Sequence, residues 1–556
     1  MADGTNKLLT LGVAARLIAK SVAASADPDN VVPRFDTTTG RYDPASLAGW
    51  HRYRRDGRIF TVKVPKYAAT NGTECLKADD AAGLVCEPST NAKAGRDDFA
   101  SFHAFEAVDV NGGADDDGSP YVTAISGDGR YKSDGTNGDA FVMAPVLFYR
   151  ETEEDGYFVR SISDVQHDGF SPQPGAKLPD GTLRPYILYT KYVASRGSDG
   201  KMASASGKEP WCLYSDSATN PKSAGNMSLN EQNRMAKQVG AGYGGHSFAQ
   251  HWYLQIMTWL KHGAKSSQTA MKGCTEFSNQ YTVSRAESGK SRVLLGEAQA
   301  KFFPTGSFVS VGEPYDNAGT QTIDRFYASL HSIARSVRVT GAERVDETTW
   351  ALNLDCPAIE TTATSVVSAM PWHTGATDSV MGLDGSPTNP VSGKEPYRIQ
   401  GIETFIGVYE VFCDVMVMAS KDESGAGHLG LYLGYDNAGD TGLQGTVSDA
   451  WSKASRELPF AAESNEQWAY VTDVAEDPDA PGFYMPTGTG ATSTTGTGDA
   501  IYANPLSSQG TREWLSLGVL WLGSLAGLSC GVLSNWCGYG RWDCGGRLSA
   551  LARSTK

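Results

Sequence analysis

Three cysteines near the end of the sequence, Cys530, Cys537 and Cys544, each precede a glycine and lie seven residues apart. Thiolates at a fixed spacing are the usual ligands of structural zinc. The adjoining glycines disfavour a helix, the element in which a spacing of seven keeps side chains together. On a strand, an odd spacing places successive thiols on opposite faces. Because the sequence has no Cys-x-x-Cys pair and no histidine near this stretch, we predict no metal ligands here.

Two other chemistries fit the same stretch in part. Residues 527–531 match the Gly-x-Ser-x-Gly elbow of hydrolases, but that elbow needs a histidine later in the chain and none follows. Residues 515–533 carry no charge and are long enough to span a membrane, with basic residues after them. Glycines and serines interrupt this window. We therefore predict no catalytic residues and keep a C-terminal membrane anchor as an alternative.

The composition limits the classes of partner. The chain has 556 residues, a formal net charge of −15 and 40% hydrophobic residues, which is typical of a globular protein with a sizeable core. An acidic chain without a basic run is a poor nucleic-acid binder. The acidic turns at 109–119 and 133–139 lack the spacing of a calcium-binding loop, so solvated turns are favoured and calcium stays an unsupported alternative.

The elements that would position these residues are mostly short strands. Alternating or apolar runs predict strands at 59–64, 141–151, 185–195, 308–312, 406–420 and 428–434, with a hairpin at 336–355. Two helices are predicted. The first covers about 229–239 after a Ser228–Glu231 capping box, and the second runs from about 247 to 262 with Gly263 as its C-cap. The coarse class is α+β.

The N-terminal residues are expected to differ from this body. Residues 6–23 have an amphipathic pattern that predicts a helix needing a partner surface. A cleavable signal ending near Ala26 is the less favoured alternative, because Arg16 and Lys20 interrupt the apolar run. Residues 27–65 are polar and punctuated by proline and glycine, which indicates an arm leading into the first strand.

The final part of the sequence, residues 518–550, reads GVLWLGSLAGLSCGVLSNWCGYGRWDCGGRLSA. It resembles the variable region of the target proteins of diversity-generating retroelements, whose C-type-lectin-like domain is of the formylglycine-generating-enzyme type. That family often ends on W-N-x-G-G-R-L-S, and residues 542–549 differ from this pattern at Asp543.

Three upstream stretches, at 184–195, 248–268 and 398–414, are similar to motifs of the same family and follow its order. The third keeps the family's Glu403 and Glu410. It departs from the family at Ile406, Gly407 and Tyr409, where Gly, Asn and Trp are usual.

The resemblance implies a C-type-lectin-like fold of the formylglycine-generating-enzyme subtype, with insertions, after an N-terminal helix and arm. The expected divisions are an anchoring or oligomerisation region at 1–65, a loop-rich β region at 66–140 and a ligand-binding domain at 141–556, with the variable region at about 512–550. The implied function is receptor binding without catalysis. Such a protein would be displayed on a phage tail or bacterial surface, bind a host protein or glycan, and use its N-terminal helix for virion or self-assembly.

In this family, adenine-directed mutagenesis varies chosen codons. The positions that follow its pattern, and that we predict as ligand-binding, are Val519, Trp521, Leu522, Leu525, Val532, Ser534, Tyr539 and Arg541. Trp521 is ambiguous, since tryptophan cannot be reached from an Asn codon by changing adenines alone. The residues predicted as the constant scaffold of the site are Trp536, Trp542, Gly545, Gly546 and Arg547.

An oxidase of the formylglycine-generating type remains a second alternative, since the fold is shared with that enzyme. It would need a pair of reactive cysteines that the sequence does not locate. Calcium-dependent sugar binding needs an E-P-N or Q-P-D motif. The sequence contains neither motif, since stretches such as Glu-Pro-Tyr, Glu-Pro-Trp and Gln-Pro-Gly differ from them at the third residue, so no cofactor is predicted.

Overall fold

The computed structural model has a β-rich α+β fold, in which strands account for 37% of residues and helices for 12%. The predicted α+β class is therefore confirmed at this coarse level. The helix predicted at 6–23 lies outside the described residues. The structure describes residues 32–70, 75–212, 227–314, 328–436, 447–460, 466–507 and 509–556.

Two antiparallel sheets dominate residues 32–212. The first has the strand order β10-β8-β9-β3-β4 and the second has the order β11-β7-β5-β6. The strands are β1 (Phe35–Asp36), β2 (Arg41–Tyr42), β3 (Phe60–Pro65), β4 (Leu76–Asp79), β5 (Val108–Ala114), β6 (Pro120–Ile125), β7 (Ala140–Ala144), β8 (Phe148–Glu154), β9 (Tyr157–Ser163), β10 (Ser171–Pro172), β11 (Ile187–Thr190), β12 (Ser195–Arg196) and β13 (Met202–Ala203).

A six-stranded sheet, β14-β21-β17-β18-β19-β16, forms the middle of the chain. Its hairpin β18–β19 is antiparallel and confirms the hairpin predicted at 336–355. The strands of this part of the chain, of which β15 and β20 form a separate pair, are β14 (Gln280–Thr282), β15 (Ser288–Lys290), β16 (Arg292–Leu295), β17 (Phe308–Gly312), β18 (Ala334–Arg344), β19 (Trp350–Asp355), β20 (Ile359–Glu360) and β21 (Val366–Met370).

An eight-stranded sheet contains the C-terminal segment. Its order is β26-β25-β24-β31-β32-β30-β27, and β33 pairs in parallel with β24. The strands of this part of the chain, of which β22–β23 and β28–β29 form separate pairs, are β22 (Tyr397–Ile399), β23 (Ile402–Thr404), β24 (Tyr409–Lys421), β25 (Gly427–Leu433), β26 (Ser452–Glu457), β27 (Gln467–Tyr470), β28 (Val474–Asp477), β29 (Ala480–Pro486), β30 (Ala500–Ala503), β31 (Gly510–Leu517), β32 (Gly527–Val532) and β33 (Cys544–Gly545).

Both predicted helices are present. The Ser228 side chain accepts from the Glu231 amide at the start of the first, and Gly263 adopts a left-handed conformation (φ 66°) after a π-turn at Thr258–His262 that extends the second. The second helix is buried on every side. The α-helices are α1 (Pro44–Arg54), α2 (Leu229–Val239), α3 (Phe248–Met257), α4 (Ser267–Ala270) and α5 (Glu297–Ala300); 3₁₀ turns lie at Asp98–Ser101, His103–Phe105, Ala328–His331 and Gly523–Leu525.

Two details differ from the sequence prediction. The single strand predicted at 141–151 is split into β7 and β8, because Pro145 lies between them and has no amide hydrogen to give to a sheet. Residues 108–114, part of an expected acidic turn, form the mostly buried strand β5. Its glycines are required by close packing, since a Cβ at Gly112 would lie 2.2 Å from the Tyr121 carbonyl oxygen.

The expected divisions at 65/66 and 140/141 are crossed by packing and pairing. Strand β3 pairs with β9, and β5 pairs with β7. The segment expected as an arm contains α1, whose Leu47 and Trp50 side chains are buried in a cluster with β5, β7 and β11. Residues 32–65 are therefore packed on the body.

Residues 515–533, the uncharged window, form the end of β31, a turn and β32. Within the described ranges, no helix has the length and apolarity needed to cross a membrane.

Candidate functional site

The predicted variable region is built on the antiparallel strands β31 and β32, which we call the display hairpin. Leu515 pairs with Val532, and Ser516 pairs with Gly531. Strand β24 flanks the hairpin on one side and β30 on the other. Both strands of the hairpin are therefore interior strands, and their side chains are almost all buried.

The turn at 518–526 joins the two strands at one end of the hairpin. Gly518 has a φ of 146°, and a Cβ there would lie 2.5 Å from the Ala526 Cβ. The turn is fixed to its surroundings by the Gly523 amide, which donates to the Thr275 carbonyl, and by Ser524, whose hydroxyl lies 2.9 Å from the Tyr470 hydroxyl. Glycine is needed at 518 because a side chain would collide with the returning strand.

The segment at 533–543 leaves the other end of β32. Trp536 forms an isolated antiparallel β-bridge with Arg512, which lies near the start of β31. The Tyr539 amide then donates to the Trp536 carbonyl, which closes a tight turn. Since a strand of about six residues is roughly 17–20 Å long, the two ends of the display hairpin form separate surfaces.

The eight residues predicted as ligand-binding divide into a buried and an accessible group. Val519, Leu522 and Val532 are 0%, 3% and 9% exposed and belong to the main hydrophobic core. Trp521 is 40% exposed. The half-buried members are Leu525, Ser534, Tyr539 and Arg541. The structure therefore does not bring all eight residues to one surface.

We call Trp521 and Leu525 the turn patch. Ser534, Trp536, Tyr539 and Arg541, in the segment that leaves β32, form what we call the exit patch. Trp536, predicted as scaffold, is 39% exposed, although its ring lies on Gly538: a Cβ at that glycine would be 2.1 Å from the ring. Trp521 and Trp536 are the two tryptophans among the exposed large hydrophobic residues of the described chain.

The remaining predicted scaffold residues, Trp542, Gly545, Gly546 and Arg547, are buried. With Glu410 they form what we call the frame. The Arg547 guanidinium donates to both Glu410 carboxylate oxygens, at 2.5 and 2.7 Å. It also donates to the carbonyls of Thr190 (3.2 Å) and Glu403 (2.5 Å). A fully buried two-point ion pair of this kind fixes the geometry of all the strands it touches.

The two glycines of the frame allow the chain to pass close to its neighbours. A Cβ at Gly545 would lie 2.7 Å from Val408 Cγ2, and one at Gly546 would lie 2.0 Å from Gln232 Oε1. These distances exclude any larger side chain without movement of β24 or α2. The frame thus joins the C-terminal segment to α2 and to β24.

Arg541 is held more tightly than a variable contact residue would be. It donates to both oxygens of the buried Asp543 carboxylate, at 2.9 and 2.5 Å. Burial alone would lower the pKa of Arg541, but the Asp543 charge outweighs burial and raises it. The Asp543 carbonyl accepts from the Tyr409 amide, so this pair connects the exit patch to the frame.

The sequence reasoning missed a buried acid beneath the hairpin. One oxygen of Asp499 accepts from the Ser529 amide at 2.8 Å, and the other has no hydrogen-bond partner. Burial raises the pKa of Asp499 to about 8. A Cβ at Gly527 would lie 2.0 Å from this carboxyl group. No local sequence signal marks Asp499, because its environment is made by a strand that lies 30 residues away.

The three cysteines near the end of the chain, Cys530, Cys537 and Cys544, lie in different places. Cys530 is in β32, Cys544 is in β33 and Cys537 is in the exit segment. All nine cysteines lie in the described residues and none forms a disulfide. Burial raises the pKa of the Cys530 and Cys544 thiols well above the usual value. Ser529, of the Gly-x-Ser-x-Gly match, lies within a strand and not at a strand-to-helix elbow.

A separate cavity of about 560 Å³ lies between β5, β6 and the end of α2. Arg41, Asp115, Tyr121 and Tyr243 contribute to its lining, and none of residues 519–541 does.

Comparison with known proteins finds no match: no protein-family model matches the chain, and no curated protein matches it.

Proposed function

We propose that this chain is a receptor-binding protein with a C-type-lectin-like fold of the formylglycine-generating-enzyme subtype, and that it binds its ligand through the turn patch and the exit patch. The observation that carries the proposal is the exposure of Trp521 and Trp536 at the ends of a hairpin that is otherwise buried. Tryptophan, tyrosine and arginine are the residue types that most often dominate binding energy at interfaces.

The frame supports this proposal. A surface that changes between variants has to be carried by a backbone that does not change with it. The Arg547–Glu410 pair and the two close-packed glycines hold the C-terminal segment by contacts that do not involve the patch side chains. Substitutions at the patches would therefore leave the supporting strands in place, except at Arg541, which pairs with the buried Asp543 carboxylate.

The accessible residues narrow the set of proposed contacts. We assign ligand contact to Trp521, Leu525, Ser534, Trp536, Tyr539 and Arg541. Val519, Leu522 and Val532 act through the core instead, because side chains this buried cannot touch a ligand without a rearrangement. If these three codons also vary, the variants would be restricted to side chains that the core accepts.

The proposed partner is a protein or glycan on a host surface, met by a phage tail or by a bacterial cell that displays this chain. Flat aromatic surfaces suit both kinds of partner, because an indole ring offers a large apolar face and one N–H donor. No cofactor is invoked.

No observation favours the oxidase alternative. A reactive thiol has a lowered pKa and lies in a partly exposed, electropositive place. Burial has the opposite effect on Cys530, Cys537 and Cys544, since it raises the pKa of each thiol.

The test of the proposal is the nucleotide sequence around the gene. We expect a near-repeat of its last part in which the codons of the six proposed contacts, apart from the two tryptophans, carry adenines where the gene carries other bases. We also expect sister genes to differ at these codons and to agree at Gly545, Gly546, Arg547 and Glu410. Sister genes that differ equally in the frame and the patches would contradict the proposal.

A further inference from the structure

Far from the display hairpin in the chain, two histidines and a glutamate meet in the interior of the N-terminal part. His51 is in α1, His103 begins a 3₁₀ turn and Glu106 follows that turn. His51 Nδ1 lies 3.2 Å from His103 Nε2, and Glu106 Oε2 lies 3.8 Å from the same nitrogen. One ligand atom from each residue falls within 4.8 Å of the other two.

These separations suit a tetrahedral metal ion. Zinc bonds of about 2.0–2.1 Å to histidine nitrogen and carboxylate oxygen place neighbouring donors roughly 3.3–3.5 Å apart. Two histidines and one glutamate are also a ligand set that zinc takes in proteins, with its fourth position left for water or another group.

The orientation of His103 is set by a second carboxylate. Its Nδ1 lies 2.8 Å from Asp164 Oδ2, and Asp164 also accepts from the amides of Asp56 and Gly57, both at 3.0 Å. Burial would raise the pKa of Asp164, but the bonds from His103 and these amides outweigh burial and lower it. Because the Asp164 carboxylate accepts from these two amides, it is an acceptor toward His103 as well, so His103 Nδ1 carries a hydrogen and Nε2 is directed at the cluster. A carboxylate behind a histidine is the usual support of a metal ligand.

The groups around the cluster lack other partners in the described structure. Glu106 Oε2 is buried and has no hydrogen-bond partner, while its other oxygen pairs with Arg54. Burial, with His103, Arg54 and Arg55 nearby, lowers the pKa of His51 well below its usual value. Arg54 compensates the Glu106 charge on one side only, so the Glu106 oxygen nearer His103 stays buried without a hydrogen-bond partner.

A second cluster provides a contrast. Cys86, His262 and Asp384 also come together, but the Lys261 ammonium lies 2.8 Å from the Asp384 carboxylate and already neutralises it. Burial, with the Asp384 charge next in effect, raises the pKa of the Cys86 thiol. This cluster has its own cation, whereas the cluster of His51, His103 and Glu106 has Arg54 on only one side of its carboxylate.

We propose that His51, His103 and Glu106 bind one zinc ion, with Asp164 as the support of His103. The ion would tie α1 to the 3₁₀ segment and to the end of β9, and so hold residues 44–54 against the body. A proton shared between the two histidines is the competing occupant of the same space.

The test uses the untagged full-length chain, stripped with chelator and dialysed. Metal analysis after addition of zinc is expected to give one equivalent per chain, cobalt is expected to show the visible bands of a tetrahedral ion, and zinc is expected to raise Tm. Glu106→Gln and His51→Gln should each weaken zinc binding at least 100-fold. Asp164→Asn should weaken it 10- to 100-fold, as expected for a supporting residue.

His262→Gln is the matched control, because it changes a buried histidine in the second cluster, and it should leave zinc affinity unchanged. Circular dichroism would show which variants fold, and the wild-type stoichiometry does not depend on any of them. Zinc uptake well below one equivalent in the wild type would overturn the proposal in favour of the shared proton. A loss of binding in His262→Gln, with binding retained in Glu106→Gln, would overturn it in favour of the second cluster.

Discussion

Apart from Glu410, the frame and the two patches lie in the same 30 residues of chain, yet their surroundings are opposite. Arg547 is fully buried and all its described partners are fixed groups, two of them backbone carbonyls. Trp521 extends from a turn, 40% exposed. The difference shows that a buried part and an exposed part are separated within one segment. On the proposed function, stability depends on the first and recognition on the second. Five substitutions, at the frame, at the acid beneath the hairpin and at the patches, test this separation, from the largest expected effect on stability to the smallest.

Replacing Arg547 with methionine should have the largest effect. It would leave the buried Glu410 charge unpaired, and breaking a buried pair in this way costs about 3–5 kcal/mol. Chemical denaturation would measure the loss. Arg338→Met is the matched control, because its ion pair with Asp355 is exposed on both sides and should contribute less than about 1 kcal/mol. Equal losses in the two variants would contradict the assigned role of the frame.

Asp499→Asn should make stability depend less on pH. The pKa of Asp499 is about 8 in the folded protein and near 3.8 in the unfolded chain, so the folded state binds the extra proton between these values. The contribution of the Asp499 carboxyl to the free energy of unfolding is therefore fully present below about pH 4. It falls as pH rises and is lost by about pH 8. At pH 8.5 the variant should be more stable, on the order of 3 kcal/mol.

The same variant supplies its own control at low pH. At pH 4 both side chains are neutral, so the two proteins should unfold at similar denaturant concentrations. A difference that stays constant from pH 4 to pH 8.5 would show that Asp499 is already ionised in the folded protein.

Gly546→Ala should destabilise by about 1–3 kcal/mol, because the added methyl group collides with Gln232 and overpacks the frame. Gly430→Ala is the control. A Cβ there meets its nearest atoms at 3.4 Å, which is ordinary contact. Thermal unfolding would compare them, and a control that loses as much as Gly546→Ala would remove the argument from close packing.

Trp521→Ala and Trp536→Ala should change stability least, within about 0.5 kcal/mol, as is usual for surface substitutions. Each should nevertheless reduce attachment to the host surface that the wild-type protein labels, by at least tenfold. Leu183→Ala, at another exposed hydrophobic side chain, is the control and should bind normally. Tryptophan variants that unfold but still attach would reverse the roles of frame and patches.

The fold was predictable where local chemistry decides it. Ser228 begins α2 because its hydroxyl meets an amide of the first turn, and Gly263 ends the helical segment because it takes a left-handed conformation. Strand β5 was not predictable, since acidic residues and glycines are typical of turns and only close packing with β6 explains them.

The site was predictable only in outline. The positions came from a resemblance to a family, and the pattern of residue types could not tell that Val519 faces the core while Trp521 faces outward. Asp499 and the cluster of His51, His103 and Glu106 were missed for a related reason. Their partners are distant in sequence, and residues 27–65, which contain His51, were expected to form an arm.

The contacts of Arg547 also have a kinetic consequence. Its partners Glu410, Glu403 and Thr190 lie 137, 144 and 357 residues earlier in the chain, so this one side chain closes three long loops. Contacts of such high order form slowly, because the entropy of loop closure is lost before the contacts are gained. We expect the step that completes the frame to come late in folding. Until then, the part of β24 that pairs with β33 stays open, and an open strand edge is a surface on which a folding chain would aggregate.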